Sequence, residues 1–269
     1  MRTTIEHIIQ TLAPVYGKQE ALSLARWIVE ETTDLSWAEA LCCDSTKTIP
    51  NLHDILTRLL HHEPVQYIFG HSLWMGMDLR VTPAVLIPRP ETAELVEHVS
   101  RAIAASHCKH GRLIDIGTGS GCIAIALKQL HPTWDVTAVD VSNDALKVAA
   151  DNASRLHTDI DFLQHDILSH APIGNFDIVV CNPPYIRQCE RNTTSANTGF
   201  EPPSALYVPD SDPMLFFRRI AERNIAPQLW FEINEYLPNQ TADTIRQYQY
   251  QTTLYYDQYG KPRILHAYQ

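Results

Sequence analysis

The chain has 269 residues, 45% of them apolar and 19% charged, which suits a globular protein of one large domain or two modest ones. Lys plus Arg is 21 against 31 for Asp plus Glu, a net charge of −10, which disfavours a nucleic-acid substrate without excluding one, because a basic patch can hide within a negative total. No apolar run approaches the ~18 residues of a membrane span, and the opening MRTTIEHIIQ lacks the form of a signal peptide, so a cytoplasmic protein is expected.

The first sixty residues read as short helices. Thr3-Thr4-Ile5-Glu6 fits a capping box, and Ile5, Ile8, Ile9 and Leu12 follow at helical spacing until Pro14, which is expected to interrupt the helix. Ala21, Leu24, Ala25 and Ile28 make a second stripe, Ser36-Trp37-Ala38-Glu39 a second capping-box match, and Leu52, Ile55, Leu56, Leu59 and Leu60 the clearest stripe. Such stripes are core faces, so residues 1–62 are expected to form a small helical bundle with no chemistry of its own. From 63 to 90, Gly70, Gly76 and four prolines break the helical period, and alternation at Leu79-Arg80-Val81 predicts a connector built on a β-hairpin.

Residues 91–269 alternate between β and α patterns. LIDIG (113–117), DVTAVDV (135–141), IDFLQHDI (160–167), FDIVVCN (176–182) and LWFEIN (229–234) read as strands, with helices over 123–130 and 143–156. The pattern predicts an α/β domain, a doubly wound parallel sheet of order 3-2-1-4-5 with helices on both faces and sites at the strands' carboxyl ends. The six cysteines, at 42, 43, 108, 122, 181 and 189, contain no CxxC pair, and His61 and His62 read as the polar end of a helix, so neither a metal site nor a disulfide framework is expected.

The first strand end carries Asp115-Ile116-Gly117-Thr118-Gly119-Ser120-Gly121. Glycines let a backbone turn tightly against a ligand at a helix start. A dinucleotide fingerprint would need Gly or Ala at 122, where Cys122 stands; the GxGxG form instead resembles the first motif of class I S-adenosylmethionine methyltransferases. Asp140 ends the second strand 23 residues after Gly117, the offset of an acid that takes the two ribose hydroxyls of a nucleoside cofactor. Ser142 and Asn143 can cap the next helix without it. Asp166 and Ile167, at the third strand's end, sit where this fold holds adenine, although a plain surface turn explains them almost as well.

Asn182-Pro183-Pro184-Tyr185 closes the fourth strand. It resembles the (N/D)PP(Y/F) motif of methyltransferases acting on planar NH2 nitrogens, of adenine or of glutamine. An amide nitrogen is a poor nucleophile because its lone pair is delocalised. If the Asn182 side-chain oxygen and the Pro183 carbonyl each accept one N–H, the lone pair is aimed at the sulfonium methyl, and no strong base is needed. The prolines fix the backbone, and Tyr185 can flank a flat group.

PVQYIFG (64–70), VLIPRPET (85–92), DIGTGSG and NPPYI, in this order and spacing, closely resemble the release factor glutamine N5-methyltransferases, the PrmC or HemK family. The resemblance implies a Rossmann-like class I methyltransferase domain over 91–269, with residues 1–62 helping to grip the substrate. It also implies S-adenosyl-L-methionine as cofactor and the glutamine of the GGQ loop in class 1 peptide chain release factors as substrate. The cofactor positions are then Asp115, Gly117, Thr118, Gly119, Ser120, Gly121, Asp140, Asp166, Ile167 and Asn182. Asn182, Pro183, Pro184 and Tyr185 face the substrate, with Asn182, Pro183 and Tyr185 in the catalytic role. No direct nucleic-acid or membrane partner is expected, and a monomer is the default.

Two departures stand out. Ile167 replaces an aromatic residue common in the family after the third strand, and Val208-Pro209-Asp210-Ser211-Asp212-Pro213 replaces a glycine-rich stretch, so that loop is expected to meet the partner differently. The alternatives are a methyltransferase for adenine in nucleic acid, a ribosomal-protein glutamine methyltransferase, and a non-catalytic binding module.

Overall fold

The computed structural model describes residues 1–42, 48–169, 173–193 and 195–269. It forms two compact units, Met1–Gly70 and His71–Gln269, so the division falls within the 63–90 stretch. Cys43 lies outside the described residues, and Cys42, Cys108, Cys122, Cys181 and Cys189 are free thiols.

The first unit contains α1 (Arg2–Tyr16), α2 (Lys18–Thr32), α3 (Trp37–Cys42), α4 (Leu52–Leu60) and α5 (Val65–Phe69). The apolar stripes become its core: Ile5, Ile8 and Leu12 pack with Ala21, Leu24, Ala25 and Ile28 and with Ile55, Leu56 and Leu59. Leu60, counted into the last stripe, is instead exposed at the helix end. The Ser36 capping box forms: Glu39 Oε2 accepts the Ser36 N–H at 2.9 Å, and Ser36 Oγ accepts the Glu39 N–H at 3.4 Å. The Thr3 box does not form. The helix already begins at Arg2, and Glu6 pairs with the Arg2 guanidinium at 3.3 Å instead. Nor does Pro14 end α1; the break comes at Gly17, whose φ of 78° leaves the helical region.

The second unit opens with a hairpin of β1 (His71–Trp74) and β2 (Met77–Arg80), turned by Met75 and Gly76 at φ 47° and 76°. Positive φ at both loop residues matches the right-handed strand twist. Then follow α6 (Thr92–Ala105), β3 (Arg112–Ile116), α7 (Cys122–Leu130), β4 (Asp135–Asp140), α8 (Asn143–Arg155), β5 (Asp161–Gln164) and β6 (Ile178–Cys181). A short parallel pair, β7 (Ile186–Arg187) and β8 (Tyr207–Val208), brackets two 3-10 turns and α9 (Pro203–Leu206). The chain ends with α10 (Leu215–Arg223), β9 (Gln228–Glu232), α11 (Pro238–Arg246), β10 (Gln251–Tyr256) and β11 (Pro262–Tyr268).

The main sheet has the order β10-β11-β9-β6-β3-β4-β5. Its five parallel strands, β5-β4-β3-β6-β9, are the expected 3-2-1-4-5. The sheet is mixed rather than wholly parallel, because β11 runs antiparallel to both β9 and β10. The third strand stops at Gln164, not Ile167; it is an edge strand with Leu163 exposed, and His165 turns away to donate its N–H to the Asp140 carbonyl at 3.0 Å. Helices cover both faces as expected. Leu95 and Val99 of α6 and Ile123 and Leu127 of α7 pack on one face, and Phe217 and Ile220 of α10 and Ile245 of α11 on the other. Strands covered on both faces are apolar throughout, which makes a charged residue within one conspicuous.

Candidate active site

The carboxyl ends of β3, β4, β6 and β9 lie side by side, since Ile116 pairs with Val139 and Cys181, and Cys181 with Phe231. The residue after each of these pairs therefore emerges at one rim, neighbouring strands being about 4.8 Å apart. The NPPY segment thus stands next to the glycine turn.

That turn is fixed by its neighbours. The Gly117 and Thr118 N–H groups donate to the Val139 carbonyl at 2.9 and 3.0 Å, and Asn152 Nδ2 holds the Ser120 carbonyl at 2.9 Å. Gly121 has φ 83°, and a Cβ there would lie 3.1 Å from the Ala149 Cβ, so glycine is needed for α7 to seat against α8. Gly117 and Gly119, at φ 73° and 54°, would carry a Cβ into open space, which leaves a concave backbone cradle.

Asp140 is tied to the same turn. Its Oδ2 accepts the Gly119 N–H at 3.0 Å and its Oδ1 the Ser142 N–H at 2.9 Å, while Ser142 Oγ caps α8 through Ala145. Each carboxylate oxygen keeps a lone pair for a further donor. Asp115 is fully buried, with Oδ2 accepting the Thr118 hydroxyl at 2.6 Å and Oδ1 without a partner among the described residues. Burial pushes its carboxyl up to about 7 against the Thr118 hydrogen bond, and the charge of Asp140 adds to the rise. The buried Asp115 carboxyl thus braces the glycine turn through Thr118, and the open space at Gly117 and Gly119 is what is left for a ligand.

Asp166 follows the residue tied to Asp140 but is exposed, with Oδ1 accepting the Leu168 N–H at 2.9 Å. Ile167 is buried in the core among Val139, Phe176 and the α10 face, so it has little surface left to present.

At the next strand end, Asn182 Nδ2 donates to Glu232 Oε2 at 3.0 Å and to Thr92 Oγ1 at 3.1 Å. Thr92 Oγ1 in turn donates to Glu232 Oε2 at 2.7 Å, and the Tyr185 hydroxyl to Glu232 Oε1 at 3.2 Å. Burial drives the Glu232 carboxyl upward against the bonds from Thr92 and Tyr185, and burial and the Glu232 charge together push the Tyr185 phenol well up. The adjoining pocket, about 430 Å³ of space open to solvent, is lined by Asn182, Pro183, Tyr185, Leu86, Leu206 and Glu232 among others; Pro184 does not line it. Its outer wall is pinned by the Arg89 guanidinium on the buried Glu201 carboxylate, whose other oxygen accepts the Ile87 N–H at 3.1 Å.

Glu232, Thr92, Arg89 and Glu201 were given no role on the sequence alone. Glu232 had a signal, an acid following the apolar Leu229-Trp230-Phe231 of the strand beside the NPPY strand. Arg89 and Thr92 stand in the quoted segment VLIPRPET and Glu201 in none, and the pairings of all three are tertiary.

Residues 91–201 match the methyltransferase small domain family. The chain is 38% identical to a release factor glutamine methyltransferase from Flavobacterium psychrophilum, over 96% of this chain and 95% of that one. A protein of the same name from Bacteroides thetaiotaomicron is also 38% identical, over 99% of each. The chain belongs to the release factor glutamine methyltransferase family. Among solved structures, the hMettl16 catalytic domain in complex with the MAT2A 3′UTR hairpin 6 aligns with a TM-score of 0.56 at 17% identity, over 72% of this chain and 76% of that one. A methyltransferase from Pyrococcus furiosus aligns at 0.51 and 17%, over 81% and 98%. At these identities the structures attest the class I methyltransferase fold alone. Among the described residues, no group of three or more His, Cys, Asp or Glu side chains could hold a metal ion, and no helix is long and apolar enough to cross a membrane.

Proposed function

We propose that the protein methylates the side-chain amide nitrogen (N5) of the glutamine in the GGQ motif of class 1 peptide chain release factors. One observation carries the reading: Asn182 spends its amide nitrogen on Glu232 and Thr92, so its Oδ1, without a partner among the described residues, is the acceptor left for the pocket.

The cofactor is S-adenosyl-L-methionine, which supplies an electrophilic sulfonium methyl when bound. The cradle of Gly117 to Gly121 fits it, with the free lone pairs of Asp140 as acceptors for its donor groups. Of Asp166 and Ile167, the exposed Asp166 would be the one left to meet the adenine, since Ile167 is buried in the core. On the substrate side, Asn182 Oδ1 and the Pro183 carbonyl each accept one N–H of the glutamine amide, which turns the nitrogen lone pair toward the methyl. Acceptors placed where positive charge develops lower the barrier; S-adenosylhomocysteine would be the leaving group, and the methylated nitrogen would lose one proton to the solvent that reaches the pocket. Tyr185 and Leu206 wall the flat amide, and the helical unit contributes contacts to the release factor. The protein works in the cytoplasm, where translation terminates, and nucleic acid is not its substrate.

The test is transfer of tritiated methyl from S-adenosylmethionine to a folded class 1 release factor. Labelling is expected, with none when the GGQ glutamine is replaced and none on DNA or RNA. Undiminished labelling of the replaced factor, or efficient labelling of adenine, overturns the reading.

A further inference from the structure

We infer that Glu232 is the positioning residue that orients Asn182 for catalysis, holding the side-chain amide so that its oxygen, not its nitrogen, meets the substrate. The inference rests on the function proposed above and adds a residue to its machinery.

A primary amide is nearly symmetric in shape, so packing alone barely distinguishes its two ends. Only a partner of fixed polarity can. Glu232 leaves β9 directly beside Asn182, because Phe231 and Cys181 are paired in register, and its Oε2 takes the Asn182 Nδ2 hydrogen at 3.0 Å. The second Nδ2 hydrogen goes to Thr92 Oγ1, which must accept it, since the one hydroxyl proton is already donated to Glu232 Oε2 at 2.7 Å. The polarity of the whole cluster therefore runs from the carboxylate outward. Flipping Asn182 would set its oxygen against a carboxylate oxygen and an occupied hydroxyl.

The same geometry helps electronically. A carboxylate on the far side of the amide raises electron density at Oδ1, where the reacting nitrogen becomes positive, and hydrogen bonds in such a chain reinforce one another. A tie between α6 and the sheet would be met by the Thr92 bond alone. Glu232 instead also binds Asn182 and the Tyr185 hydroxyl, two residues of the motif, and borders the pocket itself. Its carboxylate is 4% exposed in residue terms and sits among three donors, an arrangement that would be wasteful for a strut.

Glu232→Gln keeps the volume but turns one of the two acceptor oxygens into a donor, so it cannot accept from Asn182 and Thr92 on one side and from Tyr185 on the other as the carboxylate does, and a double-mutant cycle with Asn182→Ala reads whether Glu232 acts through Asn182. In methyl transfer to a release factor, Glu232→Gln alone is expected to lower kcat about 10- to 100-fold, with KM for the factor and the S-adenosylmethionine Kd within about threefold of wild type. In the Asn182→Ala background the same change should move kcat by less than about twofold. A kcat within twofold of wild type, an equal penalty in both backgrounds, or a parallel loss of cofactor binding and thermal stability overturns the inference. A second readout needs no substrate: the Asn182 side-chain NH2, assigned in 15N NMR by its loss in Asn182→Ala, should exchange with solvent at least about tenfold faster in Glu232→Gln. Rapid exchange already in the wild type overturns the inference even if no release factor is methylated, an outcome that would count against the proposed function separately.

Discussion

At the scale of single residues, the site is a set of polar atoms whose partners leave one lone pair or one oxygen free. Asn182 is the sharpest case. Removing its acceptor should cost turnover by analogy with a lost transition-state hydrogen bond, so Asn182→Ala is expected to lower kcat by about 10²–10³ while S-adenosylmethionine binding changes by much less, as read by single-turnover kinetics and calorimetry. Asp115 carries a pH signature. Its carboxyl is pushed up to about 7 from an ordinary value of 3.8, so the folded chain holds a proton there that the unfolded chain has already lost. Its contribution to stability is therefore fully present below about pH 4 and lost as the pH rises through about 7. Urea unfolding between pH 5 and 8 should show wild type losing stability more steeply than Asp115→Asn; identical slopes would dismiss Asp115 as the source. Asn182 and Asp115 could be picked out from the sequence because each sits in a short motif at a strand end. Glu232 offered only an acid at a strand end, and its role could not be read, because its partners Tyr185, Asn182 and Thr92 lie 47, 50 and 140 residues away along the chain. The register of β6 and β9 brings Asn182 and Tyr185 to Glu232, and the seating of α6 brings Thr92.

At the scale of elements, the joints between strands and helices set the site, and two can be tested by stability. Gly121 combines φ 83° with a Cβ position 3.1 Å from Ala149 and 3.2 Å from Ile125. Gly121→Ala should thus lose about 1–3 kcal/mol from backbone strain alone, with the crowding of α7 against α8 added. Thermal unfolding should show it as a clear drop in Tm. The Arg89 and Glu201 pair makes an asymmetric prediction, because Glu201 is buried whereas Arg89 is partly exposed. Arg89→Met strands a buried carboxylate and should cost up to about 3–5 kcal/mol; Glu201→Gln returns a half-solvated guanidinium to water and should cost less. Equal penalties would refute that reading of the pair. Strand identity and the 3-2-1-4-5 order were legible because buried parallel strands are apolar runs bounded by turn residues. The final β10–β11 hairpin was not: QTTLYY is half-exposed, PRILHAY mixes polar with buried apolar residues, and the antiparallel insertion of β11 between β9 and β10 is something that no local pattern announces. The Thr3 capping box failed for the converse reason, a local pattern overridden when the helix gained two more residues at its start.

At the scale of the molecule, each unit owns its core. The helical cluster runs from Met1 to Val65, and both sheet clusters lie wholly within the second unit. All the cofactor-cradle and NPPY atoms, and the Glu232, Thr92 and Arg89 groups that hold them, also belong to His71–Gln269. A chain beginning at His71 should therefore fold and retain the cradle. If the helical unit serves the release factor rather than the chemistry, this truncation should leave the S-adenosylmethionine Kd within about threefold of the full chain while raising KM for the folded release factor by about tenfold or more, since the lost contacts are uniform binding energy. A short GGQ peptide engages only the NPPY pocket, so its slow methylation should be equal in both forms. That comparison is decisive, because a general loss of folding would depress both substrates together, whereas a lost docking surface depresses only the large one. Full activity of the truncated chain on the intact release factor would remove the helical unit from substrate recognition altogether.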